Sequence, residues 1–188
     1  MKSKLFLAFL IIMVTALVLV GCSSSDETEI SEDTYIAVIS KGFQHQFWQA
    51  VRTGAENAAE DYGVTITFEG PETEAMVDKQ VEMVQAALDK KPAALALAAL
   101  DTQALIPLLE RAQEDGIPVV GFDSGVDSDI IVTTAATDNI AAAATAADKM
   151  AELIGGAGQV AVIVHDQTSR TGIDRRDGFL GQMEAEYP

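Results

Sequence analysis

The residues best suited to chemistry stand in short polar segments that each follow an apolar run. The first segment, Lys41–Trp48, contains side-chain amides, an imidazole and the adjacent aromatic residues Phe47 and Trp48. A dinucleotide-binding loop would carry Gly-x-Gly-x-x-Gly here, and this segment has a single glycine. Its composition suits a ligand that has both an apolar face and hydroxyl groups. The alternative is that either ring is an ordinary core residue, since neighbours on a helix do not face the same way.

The second segment, Gly121–Asp129, contains three carboxylates, those of Asp123, Asp127 and Asp129. Such a cluster could ligate calcium, but the spacing differs from the EF-hand loop and no glutamate closes it. We therefore predict no metal site. Asp123 directly follows an apolar run, so we expect it at the end of a strand, where it would accept hydrogen bonds from ligand hydroxyls.

Two further segments have both a functional and a structural interpretation. Thr137–Asn139 can contact a ligand or simply cap a helix. In Arg170–Phe179, a guanidinium near a helix start can bind two ligand oxygens at once. For Arg170 and Arg176, the alternative is an ordinary solvated surface.

A different kind of chemistry is indicated at Cys22, the only cysteine of the chain. It follows the apolar run Leu5–Val20, which is led by Lys2 and Lys4, and this is the layout of an export signal. The ending Leu-Val-Gly-Cys resembles the bacterial lipoprotein signal, in which the cysteine becomes the first residue and carries acyl chains. An uncleaved membrane anchor is the alternative, but the run is shorter than the roughly 20 residues that a spanning helix needs. We predict a signal peptide over residues 1–21 and a lipid-anchored protein on the outer face of the cytoplasmic membrane.

The composition is strongly acidic. The chain has 12 Lys and Arg against 29 Asp and Glu, a formal net charge of −17, and loss of two lysines with the signal would take it to about −19. Such a surface repels phosphate backbones, so we predict no nucleic-acid partner. The single cysteine excludes an intrachain disulfide. Residues 22–33 are polar and acidic, which indicates a flexible linker between lipid and domain.

From Tyr35 onward, short apolar runs alternate with longer helical patterns. The predicted strands are 35–40, 64–68, 93–100, 117–122, 130–134 and 159–165. The predicted helices are 47–62, 75–90, 101–115, 140–154 and 174–187, with Asp101 expected to cap the third and Pro107 expected to kink it. This alternation predicts a doubly wound parallel α/β sheet covered on both faces. Ligands of such sheets sit outside the carboxyl ends of the strands, where the polar segments should meet.

Four stretches, taken in order, resemble the ribose-binding branch of the type I periplasmic sugar-binding proteins. They are Tyr35-Ile-Ala-Val-Ile-Ser-Lys-Gly-Phe-Gln-His-Gln-Phe-Trp, Gly116-Ile-Pro-Val-Val-Gly-Phe-Asp, Ala136-Thr-Asp-Asn and Arg175-Arg-Asp-Gly-Phe. The resemblance implies a two-lobed receptor that closes on a sugar and presents it to the permease of an ABC importer.

The resemblance also implies roles for individual residues. In that family two aromatic residues after the first strand sandwich the pyranose ring, and these correspond to Phe47 and Trp48. A polar residue two positions earlier, which binds the sugar, corresponds to His45. The aspartate after the fourth strand corresponds to Asp123 and the second-lobe arginine to Arg175. The predicted ligand-binding set is Ser40, Gln44, His45, Phe47, Trp48, Asp123 and Arg175.

The chain also departs from the ribose binder. It has His45 and Gln46 where that protein has Asn and Pro, and Ser124 where that protein has arginine, so a small polyol-like ligand is implied rather than ribose itself. Family members are also much longer. We therefore expect an N-terminal fragment, with a first lobe over 34–137 and a partial second lobe over 138–188.

The functional expectation is a monomeric solute-binding lipoprotein that uses no cofactor. A membrane-tethered sugar or signal-molecule sensor that feeds a kinase or chemoreceptor is the alternative. We do not expect an enzyme, because the sequence contains no nucleophile elbow, phosphate-binding loop or metal-ligand set.

Overall fold

The computed structural model of the chain describes residues 34–187, and the predicted signal peptide, Cys22 and the acidic linker lie outside them. The strands are β1 (Tyr35–Ile39), β2 (Thr65–Glu69), β3 (Ala94–Leu97), β4 (Val119–Phe122) and β5 (Thr133–Ala135). The helices are α1 (Gln46–Tyr62), α2 (Val77–Asp89), α3 (Ile106–Glu114), α4 (Asn139–Leu153) and α5 (Arg170–Glu186).

The five strands form one parallel sheet in the order β2-β1-β3-β4-β5. This confirms the predicted α/β class. Because every strand runs the same way, all the carboxyl ends lie at one edge, and the loops that follow them meet there. That edge is the place to look for a site.

Helices cover both faces of the sheet. Ala37 and Ile39 belong to a fully buried cluster with residues of β3, β4, α2 and α3. Side chains alternate along a strand, so Phe122, three residues after the cluster member Val119, points to the opposite face. There it meets Trp48 of α1, with ring centroids 6.4 Å apart. The sheet is therefore doubly wound, as predicted.

A buried glutamine joins the ends of two central strands. Gln80 of α2 is 1% exposed, and its amide nitrogen donates to the carbonyls of Ser40 (3.0 Å) and Ala98 (2.8 Å). Its amide oxygen accepts from the backbone N–H of Leu100 at 2.9 Å. These bonds satisfy backbone groups that leave the sheet at the ends of β1 and β3, since a buried polar group without a partner would be costly.

Side chains fix the starts of three helices. His45 caps α1 by accepting from the N–H of Phe47, Asp138 caps α4 by accepting from that of Ala141, and Ser169 caps α5. The capping interpretation of Thr137–Asn139 is therefore confirmed for Asp138. The new N-cap also starts α5 four residues earlier than the predicted Asp174.

The start of α3 was predicted incorrectly. The carboxylate of Asp101 accepts from the N–H groups of Gln103 and Ala104 and makes a turn, and the helix begins only at Ile106. Pro107 consequently lies in the first helical turn. A backbone N–H at that position would have no acceptor within the helix, so the proline breaks no hydrogen bond and causes no kink.

The predicted strand at 159–165 is wrong. These residues belong to no sheet, and the side chain of Ile163 is 98% exposed. An apolar β-rich run forms a strand only beside another strand, and within residues 34–187 no strand pairs with it. None of the helices in this described range is long and apolar enough to cross a bilayer.

Hydrogen exchange tests this correction. Amides of Val160–Val164 should exchange much faster than those of Ala94–Leu97, because β3 is paired on both sides and the former segment is not. The measurement is residue-resolved exchange of this 188-residue chain, with β1 as the slow reference. Equal protection of the two segments would establish that 159–165 is a paired strand after all.

Candidate ligand-binding site

A polar cleft of about 370 Å³ opens at the carboxyl edge of the sheet. Its volume lies within the usual range for sites that bind small molecules. The cleft is lined by Lys41, His45, Phe47, Trp48, Glu74, Asp123, His165 and Arg175. Five of the seven predicted residues therefore meet at one place.

The two aromatic residues occupy different environments. Trp48 is 2% exposed, whereas Phe47 is 47% exposed, and their rings meet edge to face at 4.8 Å. The indole N–H of Trp48 donates to Oε1 of Glu74 at 2.8 Å. Trp48 is thus a buried residue that also lines the cleft, while Phe47 offers an open ring surface on which an apolar ligand face can pack.

Lys41 places a buried cation in the cleft. Its side chain is 5% exposed, and its ammonium donates to the hydroxyl of Thr171 at 2.9 Å. It lies 3.4 Å from Oδ2 of Asp123 and 3.7 Å from Oε2 of Glu74. A buried charge is stable only where other groups replace its water, and the two carboxylates and the hydroxyl supply that compensation.

Asp123 has a left-handed backbone, with φ of 56°. Few residues other than glycine adopt this conformation, and aspartate is one of them. It follows immediately after β4, and its N–H donates to the carbonyl of Ala135 at 2.9 Å. This conformation holds the carboxylate at the cleft beside Lys41, and residues in sparsely populated backbone regions are frequent at functional sites.

Glu74 connects several parts of the cleft. Its Oε2 lies 3.2 Å from Nε2 of His165 and faces Lys41, while its Oε1 accepts from Trp48. Partial burial raises the pKa of Glu74, but the hydrogen bond from Trp48, the charge of Lys41 and the contact with His165 outweigh it and lower the pKa below its usual value. Glu74 is therefore a carboxylate at neutral pH.

Residues 165–171 reach back across the carboxyl edge of the sheet. The hydroxyl of Thr168 donates to the carbonyl of Leu100 at 3.2 Å, and Arg170 pairs with Asp127. We call residues 165–171 the crossing segment. These contacts hold the start of α5 against the loops that follow β3 and β4.

Asp166 organises the turn inside the crossing segment. Its Oδ1 accepts from the N–H groups of Thr168 and Ser169, and its Oδ2 accepts from the hydroxyl of Ser169 at 2.7 Å. Burial raises the pKa of Asp166, and these hydrogen bonds, led by that of Ser169, lower it by more. A Cβ on Gly172 would lie 2.8 Å from Asp166, so the turn requires glycine there.

The arginines divide into two groups. Arg175 lines the cleft, and its Nε donates to Oδ1 of Asn139 at 2.8 Å, which orients the guanidinium. Arg170 pairs with Asp127, and Arg176 pairs with its neighbour Asp177. Neither Arg170 nor Arg176 lines this cleft, in agreement with their interpretation as surface residues.

Ser40 and Gln44 lie outside the cleft lining. Ser40 is fully buried, and its hydroxyl donates to the carbonyls of Gly42 and Glu69. It builds the loop after β1, while Gln44 is exposed on that loop. Their predicted contact with ligand stays a prediction.

Sequence reasoning missed three lining residues, Lys41, Glu74 and His165. Lys41 and Glu74 each belong to a loop that follows a strand, and that position could have identified them. His165 was assigned to the incorrect strand. Within residues 34–187, no group of His, Cys, Asp and Glu side chains is arranged to hold a metal ion.

A second cavity, of about 400 Å³, lies between α4, α5 and residues 162–165. Its lining is mostly alanine, valine, isoleucine and phenylalanine side chains. Ligand hydroxyls would find few partners there. The polar cleft is therefore the better candidate site for a ligand that carries hydroxyl groups.

Comparison with known proteins identifies relatives of this arrangement. A family model described as "Periplasmic binding protein domain" matches residues 36–188. The D-apiose import binding protein of Actinobacillus succinogenes is 26% identical over 90% of this chain and 54% of its own length. The chain thus spans about half the length of the curated relatives that it matches.

Two solved structures have the same fold. An ABC transporter solute-binding protein from Agrobacterium vitis, with bound D-fucose, is 38% identical and has a TM-score of 0.77 over 81% of this chain and 54% of its own. A carbohydrate transporter solute-binding protein from Agrobacterium radiobacter, in complex with D-arabinose, is 31% identical with a TM-score of 0.77, over 83% of this chain and 54% of its own.

Replacement of Lys41 tests the compensation of charge in the cleft. Lys41→Met should lower the free energy of unfolding by about 1–3 kcal/mol, because it leaves Asp123 and Glu74 together without their cation. Urea denaturation followed by far-UV circular dichroism measures this. The matched control is Lys79→Met, because Lys79 forms an exposed pair with Glu82 and its loss should change little. Equal effects of the two variants would contradict the buried-cation interpretation.

Proposed function

This chain belongs to the periplasmic binding protein domain family, and on that basis we propose that it captures a small neutral sugar or polyol outside the cytoplasm and delivers it to an ABC importer. The observation that carries the proposal is the composition of the polar cleft. An open aromatic ring and four charged side chains line one cavity of monosaccharide scale. Binding and release need no chemical step, so we propose no enzymatic activity.

The cleft suits both faces of a sugar. The C–H face of a pyranose can pack on the half-exposed ring of Phe47, beside the buried Trp48. Hydroxyl groups can donate to the carboxylate of Asp123 and accept from the guanidinium of Arg175. Hydrogen bonds to charged groups are roughly twice as strong as those between neutral groups, which favours tight capture in a closed cleft.

The balance of charge supports a neutral ligand. The cleft carries two cations, Lys41 and Arg175, and two anions, Glu74 and Asp123. Their charges cancel, so a sugar acid or an amino sugar would add an uncompensated charge. The relatives with 26–38% identity bind D-apiose, D-fucose and D-arabinose, which are neutral monosaccharides.

We extend the proposal to the membrane. Cys22 at the end of a lipoprotein-like signal supports a mature protein that is tethered by acyl chains, since two or more chains give stable anchoring. A tethered receptor stays near its permease. Genetic deletion separates importer from sensor, because only a receptor that serves an importer is needed for uptake of the bound sugar.

Ligand binding tests the cleft. A thermal-shift screen of pentoses, hexoses and polyols should find a ligand, since a hundredfold excess over Kd stabilises by about 2.7 kcal/mol. Asp123→Asn, which retains a residue type that tolerates the left-handed backbone, and Arg175→Met should each weaken binding roughly ten- to a hundredfold in calorimetry. Arg176→Met, on the same helix, is the control and should bind like wild type. Unchanged affinity in both cleft variants would place the ligand elsewhere.

Acylation tests the anchor. Cys22→Ser should abolish incorporation of radiolabelled fatty acid and release the protein from the membrane fraction. Labelling of the variant, or an absence of labelling in wild type, would refute the lipoprotein assignment.

A further inference from the structure

Glu74 lies in the loop between β2 and α2, and three other parts of the chain meet at its carboxylate. Trp48 belongs to α1, Lys41 follows β1, and His165 begins the crossing segment. The Glu74 side chain is 29% exposed, so water reaches it only in part. Each of its two carboxylate oxygens has a partner within the protein.

We propose that Glu74 is a positioning residue for the ligand, and that it sets the orientation of the Trp48 indole and the position of the Lys41 ammonium in the cleft. This rests on the proposed function, because the ligand is taken to be the sugar or polyol captured there. Glu74 acts through its neighbours rather than by touching the ligand.

The indole N–H of Trp48 needs a hydrogen-bond acceptor inside the protein. Tryptophan has one polar group, the Nε1–H, and it only donates. Because Trp48 is 2% exposed, that donor needs a partner inside the protein, and Glu74 Oε1 supplies it at 2.8 Å. The other ring contacts, with Phe47 and Phe122, are edge-to-face and offer the N–H no acceptor oxygen. The carboxylate thus fixes the direction in which the indole N–H points.

Close packing supports the same assignment. A Cβ on Gly42 would lie 3.4 Å from Cδ1 and Nε1 of Trp48 and 3.7 Å from Cγ of Glu74. A side chain at position 42 would therefore be in ordinary van der Waals contact with the edge of the indole where the hydrogen bond forms. Loss of the acceptor would leave the indole N–H without a partner at this edge, which favours a shift of the ring.

The second carboxylate oxygen of Glu74 faces two other side chains. Oε2 faces the Lys41 ammonium at 3.7 Å and His165 at 3.2 Å. The same carboxylate therefore joins the loop after β1 to the crossing segment. Since both oxygens already have protein partners, a holding role is favoured over direct binding of ligand hydroxyls.

Trp48 is the only tryptophan of these 188 residues, so its indole N–H gives one assignable signal in a ¹⁵N–¹H spectrum of this chain. Glu74→Ala removes the acceptor and the charge, whereas Glu74→Gln removes the charge and keeps an acceptor oxygen. Glu72→Gln is the control, because Glu72 is exposed and lies two residues earlier in the same loop. The affinity is measured by calorimetry with the sugar that most stabilises wild type.

We expect Glu74→Ala to shift the indole signal, speed its exchange with water and weaken sugar binding about tenfold or more. Glu74→Gln should keep the indole signal closer to wild type and recover part of the affinity, and Glu72→Gln should match wild type in both. A residue that only stabilised the fold would lower the Tm without this graded change in the indole signal.

An indole signal that is unchanged in both Glu74 variants overturns the proposal, as does a shifted signal with affinity within twofold of wild type. If Glu74→Ala does not fold, the proposal is decided by comparing Glu74→Gln with Glu72→Gln. The indole signal and the sugar affinity of these two variants are the two measurements. If wild type binds none of the sugars, the proposed function fails separately, and the indole signal then decides for or against the orientation of Trp48 by Glu74.

Discussion

The ammonium group of Lys41 is buried at the edge of the sheet. The protein groups around it replace the hydration that this cation loses on burial. It lies near two carboxylates from different loops and donates to a hydroxyl at the start of α5. Desolvation of a charge costs several kcal/mol even after relaxation, so these groups cannot move apart independently. One buried charge thereby fixes the relative positions of the loops after β1, β2 and β4 and of the crossing segment.

Neutral polar groups fix the ends of the strands at the same edge of the sheet. The amide of Gln80 satisfies backbone groups at the ends of β1 and β3, so the strands end at fixed points directly beneath the cleft. Asp123 then leaves β4 in a left-handed conformation that aims its carboxylate at Lys41. The geometry of the cleft is consequently set by buried hydrogen bonds in the sheet, while the ligand-facing groups are carried on loops.

The sequence was informative where local pattern decides the structure. Apolar runs and helical periodicity predicted the five strands of the sheet and its parallel class, and the position of Asp123 directly after β4 predicted its place at the cleft. The pattern could not reveal long-range partners. Residues 159–165 have strand-like composition but no neighbouring strand within residues 34–187, and composition alone does not distinguish Glu74 from Glu72. A lysine after a strand is also usually solvated, so the burial of Lys41 depends on carboxylates distant in the chain.

Asp123 meets two requirements at one position, a backbone conformation that few residues adopt and a negative charge beside Lys41. Glycine and asparagine also adopt this conformation, so the backbone alone would accept either of them. Neither carries a negative charge, so both would leave Lys41 with one fewer counter-ion. Breaking a buried ion pair costs more than a relaxed backbone recovers, so selection for thermostability and selection for recognition would both retain aspartate at this position.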